Sequence, residues 1–496
     1  MHAPITYAIL PSVDARPEQV VRSLMSLRRC TLPTVYVHSP GDEPPVGPDV
    51  KPVLSDCDSL GCMLETARRR AIADMYLWVP PGVQLKPDAA EVFAKAFNAH
   101  PEAGLFVSDY TVAGREVSLC PLRGDLTERE DLGAVWGLPA WALQRVGGAD
   151  PALRYTTFYD LRLKLMEIAP LAHIPIPTHE VEPDTGAQKG EALFYPGRGA
   201  YGGFSYLFMT EEEERETEEV FYHALRRRGA FLEVPGETVQ PAEIAPGSPV
   251  VSVIIPVRNR AKFLPFALES VLRGTLQDFE IIVVDNASTD STKAVAEEYS
   301  ERDPRIRVLA NDVNLIAKAL NLGIREAKGR YIAQLDSDDE YTPTTLQTMV
   351  EHLDAHPQCG LAISYYELID EKGDVLEEFG VIKHLEYNVN NILRVDGAGA
   401  VRVWHKSVIE RFGGFNERDF PNYGEDYDLV LKVSEHYRVD RVHDVLYRYR
   451  RHPGNTDALR RQEDKIRAKT LARTRAVERR RALNQKRKIW PPKPQP

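Results

Sequence analysis

Arg330-Tyr331-Ile332-Ala333-Gln334-Leu335-Asp336-Ser337-Asp338-Asp339-Glu340-Tyr341 is the stretch that decides the fold. An apolar, strand-like run through Tyr331, Ile332, Ala333 and Leu335 ends in Asp336, Asp338, Asp339 and Glu340, four carboxylates within five positions. Like charge at that density needs something to offset it. At the C-terminal edge of a parallel strand the chain turns, so Asp336 and Asp338 can converge on one hard cation. Oxygen ligands of this kind suit Mg²⁺ or Mn²⁺, ions that also bind phosphate. A solvated acidic turn is the bland alternative.

Upstream of this turn the sequence alternates strand and helix signals. Val251 to Val257 is a continuous apolar strand, Leu264 to Leu272 a helix and Glu280 to Val284 a second buried strand. Ser291 to Ser300 then reads as a helix, Arg305 to Ala310 as a strand and Ile316 to Ala327 as a helix. Polar residues cluster where the strands end, which is where open α/β sheets bind nucleotides. The glycine-rich phosphate loop of dinucleotide-binding folds is absent, so a dinucleotide is not the expected ligand.

The same alternation occupies residues 3 to 185, with strands at Thr6 to Pro11, Thr34 to His38 and Met75 to Val79 and helices at Glu18 to Arg29 and Met63 to Ala73. It breaks from Gly186 to Pro249. There, Tyr195 to Phe204 is rich in glycine and aromatics, and Glu211 to Arg228 reads as a helix capped by Thr210, with acids first and arginines last. Pro235, Pro241, Pro246 and Pro249 mark a linker. The expected domains are 1–185, a connecting segment 186–249, a second α/β domain 250–456 and a tail 457–496.

A chain of 496 residues with 43% hydrophobic content exceeds one ordinary core. It has no run of about 20 apolar residues to span a bilayer and no secretory signal at Met1-His2-Ala3-Pro4, so the expectation is a cytoplasmic protein. Cys30, Cys57, Cys62, Cys120 and Cys359 form no closely spaced metal-ligand pair and read as reduced, mostly buried thiols. The net charge of −11 is uneven. Arg460 to Lys488 holds 13 Lys and Arg against three acids, a local +10 that leaves −21 elsewhere. That tail suits an anionic membrane surface at its inner face, or a helix folding back on the acidic body. Trp490 is its lone aromatic, so nucleic acid is not an expected partner.

Val251-Ser252-Val253-Ile254-Ile255-Pro256-Val257-Arg258-Asn259-Arg260, Ile281 to Asp290, Leu335 to Asp339, Gly413-Gly414-Phe415 and Gly424-Glu425-Asp426-Tyr427-Asp428-Leu429 follow one another in an order that resembles family-2 glycosyltransferases of the GT-A fold. The resemblance implies two tandem GT-A-like domains, α/β and Rossmann-like with mostly parallel sheets, plus a helical basic tail. It implies an inverting transfer from a nucleotide-diphosphate sugar to an acceptor hydroxyl on a glycan, lipid-linked or protein acceptor. Surface polysaccharide, glycolipid or glycoprotein glycan synthesis would be the setting.

The resemblance also assigns roles. Pro256, Val257, Arg258, Asn259, Arg260, Asp285 and Asn286 fall at the nucleotide site, where a carboxylate such as Asp285 can accept the imide proton of a uracil-like base. Ser337 joins them. Lys318 is a candidate diphosphate contact, although the stretch Asn314 to Asn321 departs from the family's usual Gly and basic residue. Asp336, Asp338 and the late His452 resemble the metal ligands. Asp426 takes the role of general base, with Glu425 binding the acceptor or orienting the base; adjacent carboxylates also raise each other's pKa. Asp428 either serves the site or caps a helix from Tyr427 to His436.

The first half of the chain repeats the second. His100 to Tyr110 matches His356 to Tyr366 at an offset of 256, Gly147-Gly148 matches Gly413-Gly414, Tyr159-Asp160-Leu161 matches Tyr427-Asp428-Leu429, and Ser26 to Leu32 matches Ser270 to Leu276. The copy lacks the chemistry. Pro80 and Gly82 stand opposite Asp336 and Asp338, Thr157 and Phe158 opposite Glu425 and Asp426, and His38 near Asp285. A degenerate domain for acceptor binding, scaffolding or homo-oligomer formation is therefore expected. Two other functions stay open: a sugar nucleotidyltransferase, against which Val257 to Lys262 lacks the glycines of a triphosphate loop, and a non-catalytic glycan-binding protein, against which the acidic set is intact.

Overall fold

The computed structural model describes residues 4–13, 15–42, 49–119, 125–128, 130–182, 209–383, 386–395, 401–455 and 459–487. Tyr195 to Phe204, Cys120 and Trp490 lie outside them. The chain divides into two units, Met1–Arg228 and Gly229–Pro496.

In the first unit the strands are β1 Thr6–Pro11, β2 Thr34–His38, β3 Val50–Leu54, β4 Met75–Trp78, β5 Gln84–Leu85, β6 Leu105–Val112, β7 Arg115–Val117, β8 Trp136–Pro139 and β9 Leu171–Val181. In the second they are β10 Val251–Val257, β11 Phe279–Asp285, β12 Ile306–Ala310, β13 Tyr331–Gln334, β14 Glu340–Tyr341, β15 Cys359–Ile369, β16 Val381–Ile382, β17 Arg402–His405 and β18 Arg438–Arg450. The sheets run β3-β2-β1-β4-β8-β6-β9-β5 and β12-β11-β10-β13-β17-β15-β18-β14, with β7 and β16 attached to β6 and β15. Strand for strand the order is the same. Even a single hydrogen bond recurs: Leu85 N–H donates to Ser26 Oγ at 3.0 Å, and Tyr341 N–H to Ser270 Oγ at 3.1 Å.

Each sheet has a parallel half, β3-β2-β1-β4 or β12-β11-β10-β13, continued by the antiparallel partner β8 or β17. The parallel strands are covered on both faces, which is why Val253, Ile254, Ile255, Ile281, Ile282, Val283 and Val284 form unbroken apolar runs and are fully buried. Burial contributes roughly 1.5–3 kcal/mol for each such side chain. The continuation was less legible: β14 and β16 are two residues long, and β17 is fixed by its register opposite β13, Ile332 facing Trp404 and Gln334 facing Arg402.

The stretch between the halves of the chain is shared out. The helix Glu211–Arg227 belongs to the first unit, its start capped as expected by Thr210 Oγ1 accepting Glu213 N–H and its end tied to Glu167 by Arg227 at 2.9 Å. Residues 229–249 belong to the second: Val239 N–H donates to Pro357 O at 2.7 Å, and Glu237 meets His436 and Arg411, each at 2.6 Å.

The basic tail is a helix, Gln462–Arg487, and it folds back on the second unit. Arg475 meets Asp419 at 2.6 Å, Arg479 meets Glu435 at 2.8 Å, and buried Arg480 donates to Val389 O at 2.6 Å. Part of the tail's charge is thereby paired with acids of that unit. Among the described residues no helix is long and apolar enough to cross a membrane.

One expectation is corrected. Cys57 and Cys62 form a disulfide, because the loop after β3 turns back over the first turn of the helix Leu60–Arg70 and brings their Cα atoms to 5.9 Å. Cys30 and Cys359 are buried free thiols.

Candidate active site

β10 and β11 end side by side, Pro256 opposite Val284 and Val257 opposite Asp285. The loops beyond them interlock: Arg258 donates to Asn286 O at 3.1 Å, Asn259 N–H to Ser288 Oγ at 3.1 Å, and Thr289 N–H to Asn259 Oδ1 at 2.8 Å. Asn259 and Ala287 hold φ values of +52° and +57°, the left-handed region that side chains avoid. Each such residue costs about 1–3 kcal/mol, held in place here by the interlocked loops. Asn286 is buried and receives Asn311 Nδ2 at 2.5 Å and Leu315 N–H at 3.3 Å, so it fixes the next loop. Asp285 is buried, and its Oδ1 has no protein donor. Lys318 is half-buried in the first turn of the helix Ile316–Glu326.

β13 ends two residues before Asp336. Asp336 is open at its tip but walled by protein, and that desolvation, with the charge of Asp338, raises its carboxyl to about 6. Asp338 Oδ2 accepts from His452 Nε2 at 3.0 Å and from Arg260 Nε at 3.1 Å. Although desolvation works the other way, those two donors together hold the Asp338 carboxyl below the usual range. Arg260, expected at the nucleotide, thus faces the acidic turn and also donates to Gly454 O at 2.7 Å. Ser337 is buried within the turn.

The offset to the carboxylate crowding comes from a residue the sequence reading missed. Arg450 is fully buried, pairs with Glu340, and donates to Asp338 O at 2.8 Å and Asp370 O at 3.0 Å. Its own N–H donates to Asp339 Oδ1 at 2.7 Å, while Tyr447 O–H donates to Asp339 Oδ2 at 2.7 Å. Asp339 therefore builds the turn, leaving Asp336 and Asp338 at the cleft. The clue was Arg448-Tyr449-Arg450-Arg451, alternating just ahead of His452.

Glu425 and Asp426 open the helix Glu425–Ser434. Gly424 precedes it at φ +82°, and an added Cβ would sit 3.2 Å from Phe420 Cδ1. The helix begins two residues earlier than the sequence suggested, so Asp428 is not its cap: it is buried within the first turn and pairs with Lys432 at 2.7 Å. Burial, then the charge of Asp426, push the Glu425 carboxyl up to about 8, and its Oε2 is buried with no hydrogen-bond partner. Asp426 is half-open and lies 2.7 Å from Arg402 Nη2. Arg402 stands opposite Gln334, the last residue of β13, so its contact with Asp426 brings the helix start beside the strand end that leads into the acidic turn.

A protonated buried Glu425 has a stability consequence. Between pH 4.5 and 8 the folded chain keeps a proton that the unfolded chain has lost, so metal-free stability falls as pH rises through that window. The full span is worth roughly 5 kcal/mol. Thermal melts of Glu425→Gln should be flatter across it than those of the native chain, and equal slopes would refute a buried neutral carboxyl.

Among the described residues, His352, Cys359 and Asp440 also gather metal-type ligands. They are already satisfied: Asp440 takes His352 at 3.3 Å and Arg438 at 2.9 Å, and the Cys359 thiol donates to Leu361 O at 3.1 Å.

In the first unit the corresponding site is filled. Trp78 pairs with Trp136 in the register where Gln334 pairs with Arg402, and the ring of Phe158, in the place of Asp426, lies 4.8 Å from Trp78 and 5.0 Å from Trp136. The same register sets His38 opposite Asp285.

Residues 252–412 match the model of glycosyl transferase family 2. An uncharacterised glycosyltransferase of Haemophilus influenzae is 30% identical over 240 residues, 45% of this chain and 72% of that protein. The chain belongs to this family. A chondroitin synthase of Escherichia coli is 25% identical over 52% of this chain but only 38% of its own length. The Staphylococcus aureus TarS structure with UDP-GlcNAc aligns with a TM-score of 0.38 at 19% identity, over 46% of this chain and 66% of that one.

Proposed function

We propose that this chain is a metal-dependent inverting glycosyltransferase that moves a sugar from a nucleotide-diphosphate donor to an acceptor hydroxyl. The observation that carries the reading is the meeting of two independent elements, the Asp336–Asp338 turn after β13 and the Glu425–Asp426 helix start, joined where Arg402, opposite Gln334 of β13, lies 2.7 Å from Asp426. One supplies a cation site beside a nucleotide surface. The other supplies a proton acceptor.

The residues fit a hard divalent ion such as Mn²⁺ or Mg²⁺: Asp336, Asp338 and His452 offer oxygen and imidazole donors, and Asp338 Oδ2 already lies within 3.0 Å of His452 Nε2 and 3.1 Å of Arg260 Nε. When bound, the ion offsets charge on the leaving diphosphate. The buried, unsatisfied Oδ1 of Asp285 suits the imide N–H of a uracil-like base, while the strained Asn259 and Ala287 shape the surface around it. At the anomeric carbon the acceptor oxygen forms its bond as the bond to the diphosphate oxygen breaks, whose electron pair stays on that oxygen. The hydroxyl proton passes to Asp426. One in-line displacement inverts the carbon. The likeness to a chondroitin synthase supports a saccharide acceptor, of the kind used in polysaccharide, glycolipid or glycoprotein glycan synthesis.

The test is a panel of nucleotide sugars with Mn²⁺, followed by thermal shift and by release of nucleoside diphosphate. At least one donor should stabilise the chain and be hydrolysed slowly. No shift with any donor, together with pyrophosphate released from a sugar phosphate and a nucleoside triphosphate, would replace this reading with nucleotidyl transfer.

A further inference from the structure

We propose that Arg402 is a positioning residue for the base, holding the Asp426 carboxylate in the orientation in which it meets the acceptor hydroxyl. The inference rests on Asp426 being that base. Arg402 Nη2 lies 2.7 Å from Asp426 Oδ2, and Tyr427 N–H donates to Asp426 Oδ1 at 2.7 Å. Oδ1 thus takes one hydrogen bond and Oδ2 faces the guanidinium charge, each with a lone-pair site to spare. Held at two points, the carboxylate cannot swing about its Cβ–Cγ bond. Both side chains of the pair stay partly open, at 18% and 31% exposure, so an acceptor can reach the free lone pairs without breaking it.

The origin of Arg402 matters as much as its contact. β17 delivers it beside β13, opposite Gln334 and two residues ahead of Asp336 in that strand's direction. The ion pair thus ties the helix that carries the base to the strand that carries the acidic turn, fixing the distance between the two halves of the reaction. An arginine does this better than a lysine, since its planar fork is directional. Within the acidic turn Asp338 already has His452 and Arg260, and Asp339 has Tyr447 and Arg450, so of the three carboxylates there only Asp336 also feels the Arg402 charge.

The internal repeat gives a separate argument. In the first unit the positions of Arg402 and Asp426 are held by Trp136 and Phe158, and these rings are also in contact, 5.0 Å apart. The fold brings the two positions together in either unit. Where the carboxylate is lost, the guanidinium is lost with it, and an aromatic plug stands in place of both.

The test uses the full chain and whichever panel sugar gives diphosphate release with Mn²⁺. Arg402→Met should lower kcat for transfer by roughly 10–100-fold, since a displaced catalytic group costs rate rather than affinity, with donor affinity and acceptor KM within about threefold. Arg402→Lys should recover part of the loss. In an Asp426→Asn background, Arg402→Met should cost less than about twofold more, because an arginine that acts through Asp426 has nothing left to position. Native kcat in Arg402→Met, a loss that multiplies on top of Asp426→Asn, or a parallel loss of donor affinity would each overturn the proposal. If Arg402→Met does not fold, Arg402→Gln carries the same comparison, and failure of both to fold assigns the residue to stability and overturns its positioning role. Full turnover in Asp426→Asn alone would instead remove the base assignment itself.

Discussion

Replacing Asp426 with Asn is expected to lower sugar transfer by roughly 10²–10⁴-fold, the usual range for loss of a positioned general base. Asparagine keeps the shape of the side chain and an oxygen for Tyr427 N–H, which donates at 2.7 Å in the native chain. It cannot take a proton. Asp426 lies on the helix Glu425–Ser434, apart from the ends of β10 and β11 that are proposed to take the nucleotide. Donor affinity, read by calorimetry or thermal shift, should therefore stay within about twofold, the signature of an interaction made only in the transition state. A loss of donor binding as large as the loss of rate would make Asp426 a binding residue.

The second large effect is at the acidic turn. Asp338→Ala removes the one oxygen on which His452 and Arg260 converge, at 3.0 and 3.1 Å. A metal's stabilisation of a leaving diphosphate is worth several kcal/mol, so activity should fall by roughly 10³-fold or more. Mn²⁺-dependent donor binding should vanish with it. The fold should survive, because the turn is held by Asp339 through Tyr447 O–H and Arg450 N–H, each at 2.7 Å, and by Arg450 donating to the backbone oxygen of residue 338. Arg260 keeps Gly454 O, and the strand beneath is apolar and buried. Unchanged turnover, or a collapse in melting temperature that accounts for the lost activity, would remove Asp338 from the metal site.

These expectations depend unevenly on what could be read from the sequence. The parallel strands were legible because each is buried on both faces and so must be apolar throughout: Val251–Val257 and Phe279–Asp285 announce themselves in a string of letters. The acidic turn was legible for the opposite reason, as charge where a strand should end. The repeat was legible as an offset, and the structure shows why it matters: the same sheet order supports a cleft in one unit and three packed rings in the other. Asp426 was placed by motif, without its partner Arg402. Two adjacent carboxylates suggested that each raises the other; Glu425 is raised to about 8 by burial and then by the charge of Asp426, and the guanidinium that faces Asp426 was not foreseen.

By itself the sequence determined the α/β alternation, the tandem copies and the acidic turn that follows β13, since hydrophobic period and charge at strand ends are local properties of the chain. Only the tertiary structure decided which groups balance one another there. Arg450 reaches Asp339 across 111 positions, Arg260 reaches Asp338 across 78, and Arg402 meets Asp426 only because β17 runs antiparallel beside β13. The cysteines and the basic tail follow the same rule, Cys57 closing on Cys62 over a folded helix end and Arg479 on Glu435 across a packed interface. A pairing between distant charges leaves no periodic mark in sequence, because its energy depends on distance and burial, and both are set only when the strands find their order.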